Sequence, residues 1–313
     1  MRVIITGGTG LIGRALATEL AADGHEVILL SRSPERAGQL PPGVRAERWD
    51  ARTAAGWGPL ADGAEAIVNL AGANLAGEHF FPSRWTAERK RLIRDSRVNA
   101  GRAVVQAVEQ ARQKPAVVVQ ASGVGYYGPC GDEPVTEDTP AGHDYLARLA
   151  AEEWEPSTAP VEEMGVRRVI IRTAAVLAPN EGALWRLLLP FRLFIGGPMG
   201  SGRQWFPWIH VQDEARAIHF LIAHQEARGP FNLVAPDPLP NARFAQVLGR
   251  VMGRPSWLPV PALALKLAFG EVAGVLLEGQ RAVPKRLLEL RFHFLFPSAE
   301  SALRDLLRSP VMG

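Results

Sequence analysis

The chain has 313 residues, 47% of them hydrophobic and 21% charged, an ordinary globular composition that excludes a disordered chain and fits either two lobes or one elaborated α/β unit. Its single cysteine, Cys130, excludes an intramolecular disulfide and a cysteine-based zinc site, and suits a reducing compartment. The formal net charge of +3 rests on 31 arginines and only four lysines, so the search for a catalytic lysine ends at Lys90, Lys114, Lys266 and Lys285.

Met1-Arg2 runs directly into Val3-Ile4-Ile5, which leaves no room for a signal peptide; the expected location is cytoplasmic. Val3–Thr6 predicts a strand and Leu11 to about Asp23 a helix, stopped by Gly24. Further strands are expected at Glu26–Ser31, Val44–Trp49, Ala66–Leu70, Pro115–Ala121 and Arg167–Val176, with long helices over Ser83–Gln113 and Asp144–Met164, the latter weak at Pro156 and Pro160. Strands alternating with helices predict an α/β fold, a Rossmann-type doubly wound parallel sheet. Residues 180–208 carry glycine pairs and read as loops, before a helix Val211–His224 and a strand Phe231–Val234 return to the sheet. The expected organisation is a dinucleotide-binding domain over 1–179, completed by about 209–236, and a smaller, mostly helical lobe from 180–208 and 237–313. The apolar stretch Trp257–Leu277 is interrupted by Pro259, Pro261, Lys266 and Glu271, so it reads as a packed amphipathic helix and not a membrane span.

The strongest local signal is Thr6-Gly7-Gly8-Thr9-Gly10-Leu11-Ile12-Gly13, a glycine triplet that follows a strand and opens a helix. There the glycines permit a tight turn and close backbone approach, so a pyrophosphate can rest on the helix N-terminus. The second strand ends Leu30-Ser31-Arg32, and Arg32 stands 19 residues after Gly13 with no carboxylate before Glu35. A hydroxyl and a guanidinium at that place suit the 2′-phosphate of NADP(H) better than the free 2′-hydroxyl of NAD(H). Asn69-Leu70-Ala71-Gly72 and Ala121-Ser122-Gly123-Val124-Gly125-Tyr126-Tyr127-Gly128 lie at the carboxyl ends of further strands, where ligands bind in such sheets.

With these motifs the chain resembles the extended, nucleotide-sugar-epimerase-like branch of the short-chain dehydrogenase/reductase superfamily. Gly197–His210, Gly229–Pro236 and Leu277–Pro284 narrow the likeness to an epimerase family of atypical extended reductases with a C-terminal domain of unknown function. The resemblance implies that Thr6, Gly7, Gly10, Leu11, Ile12 and Gly13 hold the pyrophosphate, and Ser31 with Arg32 the 2′-phosphate. Leu70, Ala71 and Gly72 would line the adenine-ribose path, Arg97 would lie near the cofactor, and Ala121, Ala174 and Val176 would flank the nicotinamide. Ser122 falls at the catalytic-serine position, and Tyr145 near the usual tyrosine position.

The superfamily's Tyr-x-x-x-Lys is missing: four residues after Tyr126, Tyr127 and Tyr145 stand Cys130, Gly131 and Leu149. Arg203, in a glycine-rich loop, is a candidate grip for an anionic substrate group, with Tyr127, Gln204 and Trp208 as further substrate candidates. Core packing accounts for the tryptophans equally well. Asp213 reads as a helix cap, and no metal set is evident. Arg84–Arg112 holds eight basic against three acidic residues, but no aromatic platform interleaves with them, so nucleic acid is not the expected partner. A homodimer is compatible with the sequence. The expected function is NADP(H)-dependent oxidoreductase or epimerase-like chemistry on a small metabolite, anionic or nucleotide-sugar-like. The alternative is a non-catalytic NADPH-binding module that senses redox state or binds a partner.

Overall fold

A computed structural model describes residues 1–77, 81–179 and 181–308, apart from the side chain of Arg36. Residue 180 and residues 309–313 of the expected helical lobe lie outside the described residues.

The strands in chain order are β1 (Arg2–Thr6), β2 (Glu26–Ser31), β3 (Val44–Arg48), β4 (Ala66–Asn69), β5 (Val117–Gly123), β6 (Pro134–Val135), β7 (Arg167–Thr173), β8 (Ala175–Leu177), β9 (Trp205–Phe206), β10 (Trp208–His210) and β11 (Gly229–Leu233). The principal helices are α1 (Leu11–Ala22), α2 (Ala87–Gln110), α3 (Tyr145–Arg148), α4 (Pro160–Glu163), α5 (Leu184–Arg192), α6 (Val211–Ala223), α7 (Asn241–Met252), α8 (Ala262–Phe269), α9 (Ala273–Leu277), α10 (Lys285–Glu289) and α11 (Ala299–Arg308). Seven strands form one parallel sheet in the order β11-β7-β5-β4-β1-β2-β3, the doubly wound α/β arrangement that the sequence predicts. Strand order reverses between β1 and β4, so the crevice at their carboxyl ends is the natural ligand site.

The apolar runs of the central strands bury both faces. Val3, Ile5, Val27 and Leu29 face α1 and α6, while Ile4, Ile28 and Ile67 face Ala103, Val104 and Val108 of α2. A third core joins α5, α7 and α11 around Trp208.

Several elements depart from the sequence reading. The helix expected from Ser83 begins at Ala87, because Thr86 caps it by accepting the Arg89 amide at 3.2 Å. The helix expected over Asp144–Met164 runs between those two residues as its caps but changes pitch, from α3 through a π-helical stretch at Leu149–Trp154 and a 3₁₀ stretch at Glu155–Thr158 to α4. Pro156 and Pro160 supply no amide to its hydrogen bonding. The strand expected over Arg167–Val176 divides into β7 and β8, the latter pairing with β10 outside the main sheet. Within the expected loop region lies α5, whose Leu184, Leu188 and Phe191 are buried at helical spacing.

Candidate functional site

The glycine turn divides its work among residues. Gly7 adopts φ +65°, which disfavours any side chain, and its carbonyl accepts the Gly10 amide at 2.9 Å. A β-carbon at Gly13 would lie 2.6 Å from Gly8 Cα, so Gly13 lets the helix sit against the turn. At Gly10 the one close atom for a β-carbon is the Gly7 carbonyl, 3.2 Å away, and the space ahead is open. Gly10 caps α1 without a side-chain hydrogen bond, and the first turn holds no acid. The opening amides of α1, at Leu11, Ile12 and Gly13, therefore face outward with the positive end of the helix dipole. The Thr6 hydroxyl is spent inward, donating to Asn69 Oδ1 at 2.6 Å, while Asn69 Nδ2 donates to Gln120 Oε1 at 2.8 Å. This buried ladder ties the ends of β1, β4 and β5 together, and Thr6 also accepts the Ala71 amide.

At the end of β2, Ser31 Oγ lies 3.2 Å from Thr9 Oγ1 and accepts the Ser33 amide at 3.2 Å. Arg32 is exposed, and its guanidinium makes no hydrogen bond or ion pair among the described residues. Glu35, the first carboxylate beyond the strand, is instead paired with Arg48 at 3.0 Å. A free guanidinium beside two hydroxyls is a site for a phosphate.

Leu70, Ala71 and Gly72 follow β4 alongside the turn: a β-carbon on Gly7 would lie 3.0 Å from the Ala71 backbone. Arg97 reaches Gly72 from α2, donates to the carbonyls of Ala73 and Ile93 at 3.0 Å each, and lies over the Trp154 ring. Burial lowers its pKa to about 10, so it is still a cation at neutral pH.

Beyond Arg97 opens a cavity of about 440 Å³, enclosed by the Gly123–Tyr126 turn, the segment from Asp144 to Trp154, Thr173–Ala175, Gln204–Pro207 and the α9 region. Of the expected residues, Arg97, Tyr145, Ala174 and Gln204 stand on its wall. Gln204 is fixed there by donating Nε2 to the carbonyls of Met199 and Leu276. Ala121 and Val176 lie outside that wall, Val176 within the core between the sheet and α6.

Four expected positions differ. The alternation of β5 puts Gly123 on the cavity and turns Ser122 inward, where its hydroxyl donates to Glu155 Oε1 at 2.7 Å. Tyr127 is buried, donates to Asn232 Oδ1 at 2.6 Å and accepts from Arg172. Burial pushes its pKa up to about 12, against the pull of Arg172. Its neighbour Tyr126 lines the cavity instead, with its ring 3.4 Å from the Arg172 guanidinium carbon. Trp208 is 1% exposed and fills the core between α5 and α7. Arg203 is exposed on the outer surface and not on the cavity wall.

Tyr145 opens α3, capped by Asp144, whose Oδ1 accepts the Ala147 amide at 2.8 Å. Its hydroxyl donates to the Lys90 carbonyl at 2.9 Å. A lysine does stand nearby, but from α2: Lys90 Nζ lies 4.9 Å from the ring centroid and pairs with Glu271 at 2.5 Å. Leu149, one helical turn on, is buried at the wall. Burial raises the Tyr145 pKa above its ordinary value, with Arg97 opposing.

Several functional-looking residues escaped the sequence reading. Arg172 is held by both Glu155 oxygens, at 2.9 and 3.0 Å, beneath the tyrosine pair. Burial opposes its charge, but the Glu155 hydrogen bonds prevail and keep it protonated. A lone arginine in the apolar run Val169-Ile170-Ile171-Arg172 was the signal for a buried partner. Glu214 is fully buried and accepts the Thr173 hydroxyl at 2.7 Å, and burial raises its pKa to about 8. Asp213 is not the cap of α6; His210 Nδ1 accepts the Gln212 amide, while Asp213 takes the amides of Leu295 and Phe296.

No helix among the described residues is long and apolar enough to cross a membrane. Residues 3–233 match the NAD dependent epimerase/dehydratase family, and residues 260–306 match a domain of unknown function. An epimerase family protein of Arabidopsis thaliana, a chloroplastic SDR39U1 homolog, is 39% identical over 98% of this chain and 87% of its own. Epimerase family protein YfhF of Bacillus subtilis is 36% identical over 98% of both chains. The crystal structure of human epimerase family protein SDR39U1 with NADPH superposes with a TM-score of 0.86 at 35% identity, covering 99% of this chain and all of that one. The chain therefore belongs to the NAD dependent epimerase/dehydratase family, with its glycine turn on a seven-stranded parallel sheet and no lysine four residues after any of its three tyrosines.

Proposed function

We propose that this protein binds NADPH and reduces the carbonyl group of a small metabolite. One observation carries the cofactor: the unpaired guanidinium of Arg32 at the end of β2, where no carboxylate is free to hold a 2′-hydroxyl. The uncapped amides of α1 and the open space before Gly10 fit the pyrophosphate, and the likeness to a human protein solved with NADPH supports the same choice. NADPH, when bound, supplies a hydride from its nicotinamide.

The chain's own residues do the rest. Arg97, Gly123 and Ala174 border the reaction end of the cavity. Tyr145 keeps its proton at neutral pH, so its hydroxyl, once turned from the Lys90 carbonyl, can give a proton to a developing alkoxide but cannot readily take one from an alcohol. That polarity favours reduction. Ser122, Glu155 and Arg172 act from beneath as positioning residues, because their hydrogen bonds close on one another and not on the cavity. Loss of NADPH absorbance on mixing purified protein, NADPH and a panel of carbonyl compounds tests the reading. The expected result is slow turnover that is reduced in Tyr145→Phe. NADPH bound tightly with no turnover of any carbonyl would favour the rival, a non-catalytic redox-sensing module, which the missing lysine supports.

A further inference from the structure

The wall of the cavity speaks against an anionic substrate and for an apolar one. That wall is mostly apolar and includes Leu75, Trp85, Leu149, Trp154, Val275 and Leu276. Two of its indole edges are already occupied, Trp85 Nε1 by the Leu75 carbonyl at 2.9 Å and Trp205 Nε1 by Asp132 Oδ1 at 3.0 Å, while Trp154 Nε1 and Gln204 Oε1 are buried without a hydrogen-bond partner. Among the described lining residues the charged side chains are one base, Arg97, and three acids, Asp144, Glu271 and Glu278. Arg97 is already bound to two carbonyls and stacked on Trp154.

A nucleotide sugar brings a diphosphate that must surrender its hydration shell, and that loss is repaid only by paired cations or aimed amides. Two further arginines are withdrawn from such a role. Arg172 is covered by Tyr126 and held by Glu155, and Arg203 lies outside the cavity. Of the three acids Glu271 is paired with Lys90, which leaves Asp144 and Glu278 to oppose a diphosphate.

We infer that the substrate of this cavity is a neutral carbonyl compound with an apolar, ring-bearing body, and not a nucleotide sugar. The inference rests on the carbonyl-reductase reading for its reaction, though not for its binding. Burying such a body against the aliphatic and indole walls supplies the affinity, and its oxygen is met by the unpartnered Trp154 Nε1 or by the Tyr145 hydroxyl once that turns from the Lys90 carbonyl.

The probe that tests this is prodan, a neutral naphthyl ketone whose fluorescence moves to the blue away from water. Titrated into the purified protein, it should show saturable blue-shifted emission that millimolar UDP-glucose does not reverse. Leu146→Asp and Val275→Asp each place a charge on the wall and should weaken prodan at least about tenfold, with circular dichroism and melting unchanged. Displacement of prodan by UDP-glucose, with that competition lost in Arg203→Ala, would overturn the inference. So would prodan affinity indifferent to both aspartates in folded protein. NADPH affinity, read separately from its own fluorescence, distinguishes the two layers. Prodan bound without NADPH affinity would sink the reductase reading and leave the ligand class standing.

Discussion

At the phosphate end of the site the recognition groups are backbone: a left-handed Gly7, a clear space before Gly10 and the outward amides of α1, joined by one free guanidinium, Arg32. At the reaction end they are side chains that depend on distant partners. Tyr145 leans on the Lys90 carbonyl across α2, and Ser122 is drawn inward by Glu155, 33 residues later. Backbone sites tolerate drift in the surrounding sequence, because any residue supplies an amide. Side-chain chemistry does not, and the loss of one lysine removes the means of lowering a tyrosine pKa. The glycine turn at one end was therefore readable in the sequence, while the surroundings of Tyr145 at the other were not.

The sharpest way to break this contrast is Gly10→Val. Its backbone already occupies an extended region open to valine, so the fold should survive while the new side chain fills the pyrophosphate space. NADPH binding should be abolished with an unchanged melting temperature; retained affinity would mean the turn is only structural. At the reaction end, Glu155→Ala strands the buried Arg172 and should cost about 3–5 kcal/mol of stability, measured by denaturant unfolding. A small loss there would show that the ion pair is not what holds the floor of the cavity.

Tyr145→Phe removes one hydroxyl and should slow reduction by roughly a hundredfold, the usual contribution of a positioned general acid. Alcohol oxidation by the wild type should appear only at high pH, because the raised Tyr145 pKa keeps the phenol protonated below it. An unchanged Phe variant would pass the role to water. The mildest effect belongs to Glu214. With a folded pKa of about 8 against an ordinary 4.5, the folded chain keeps a proton that the unfolded chain has released. Its stability is therefore full below about pH 4.5 and declines as pH rises toward 8. Glu214→Gln should lose that slope and melt a few degrees, roughly 2 °C or more, above wild type at pH 8.

The sheet was legible because parallel, doubly covered strands write continuous apolar runs, and the glycine turn because its spacing is local. Tyr126 against Tyr127, and Gly123 against Ser122, were not, since a one-residue change of face depends on where β5 ends and the turn begins. The weak point in the helix after Tyr145 was visible in Pro156 and Pro160, but the widened stretch before them was not. Arg203 stands exposed and off the cavity wall, a placement that sequence does not show for an arginine in a glycine-rich loop.

Cofactor choice is the claim on which the rest stands, and parallel titration of NADPH and NADH into wild type and Arg32→Ala tests it most directly. Wild type should prefer NADPH, and losing one charge-assisted phosphate contact should cost NADPH on the order of 1.5–3 kcal/mol while leaving NADH nearly unchanged. Equal affinity of wild type for the two cofactors, or an equal loss of both in Arg32→Ala, would contradict it.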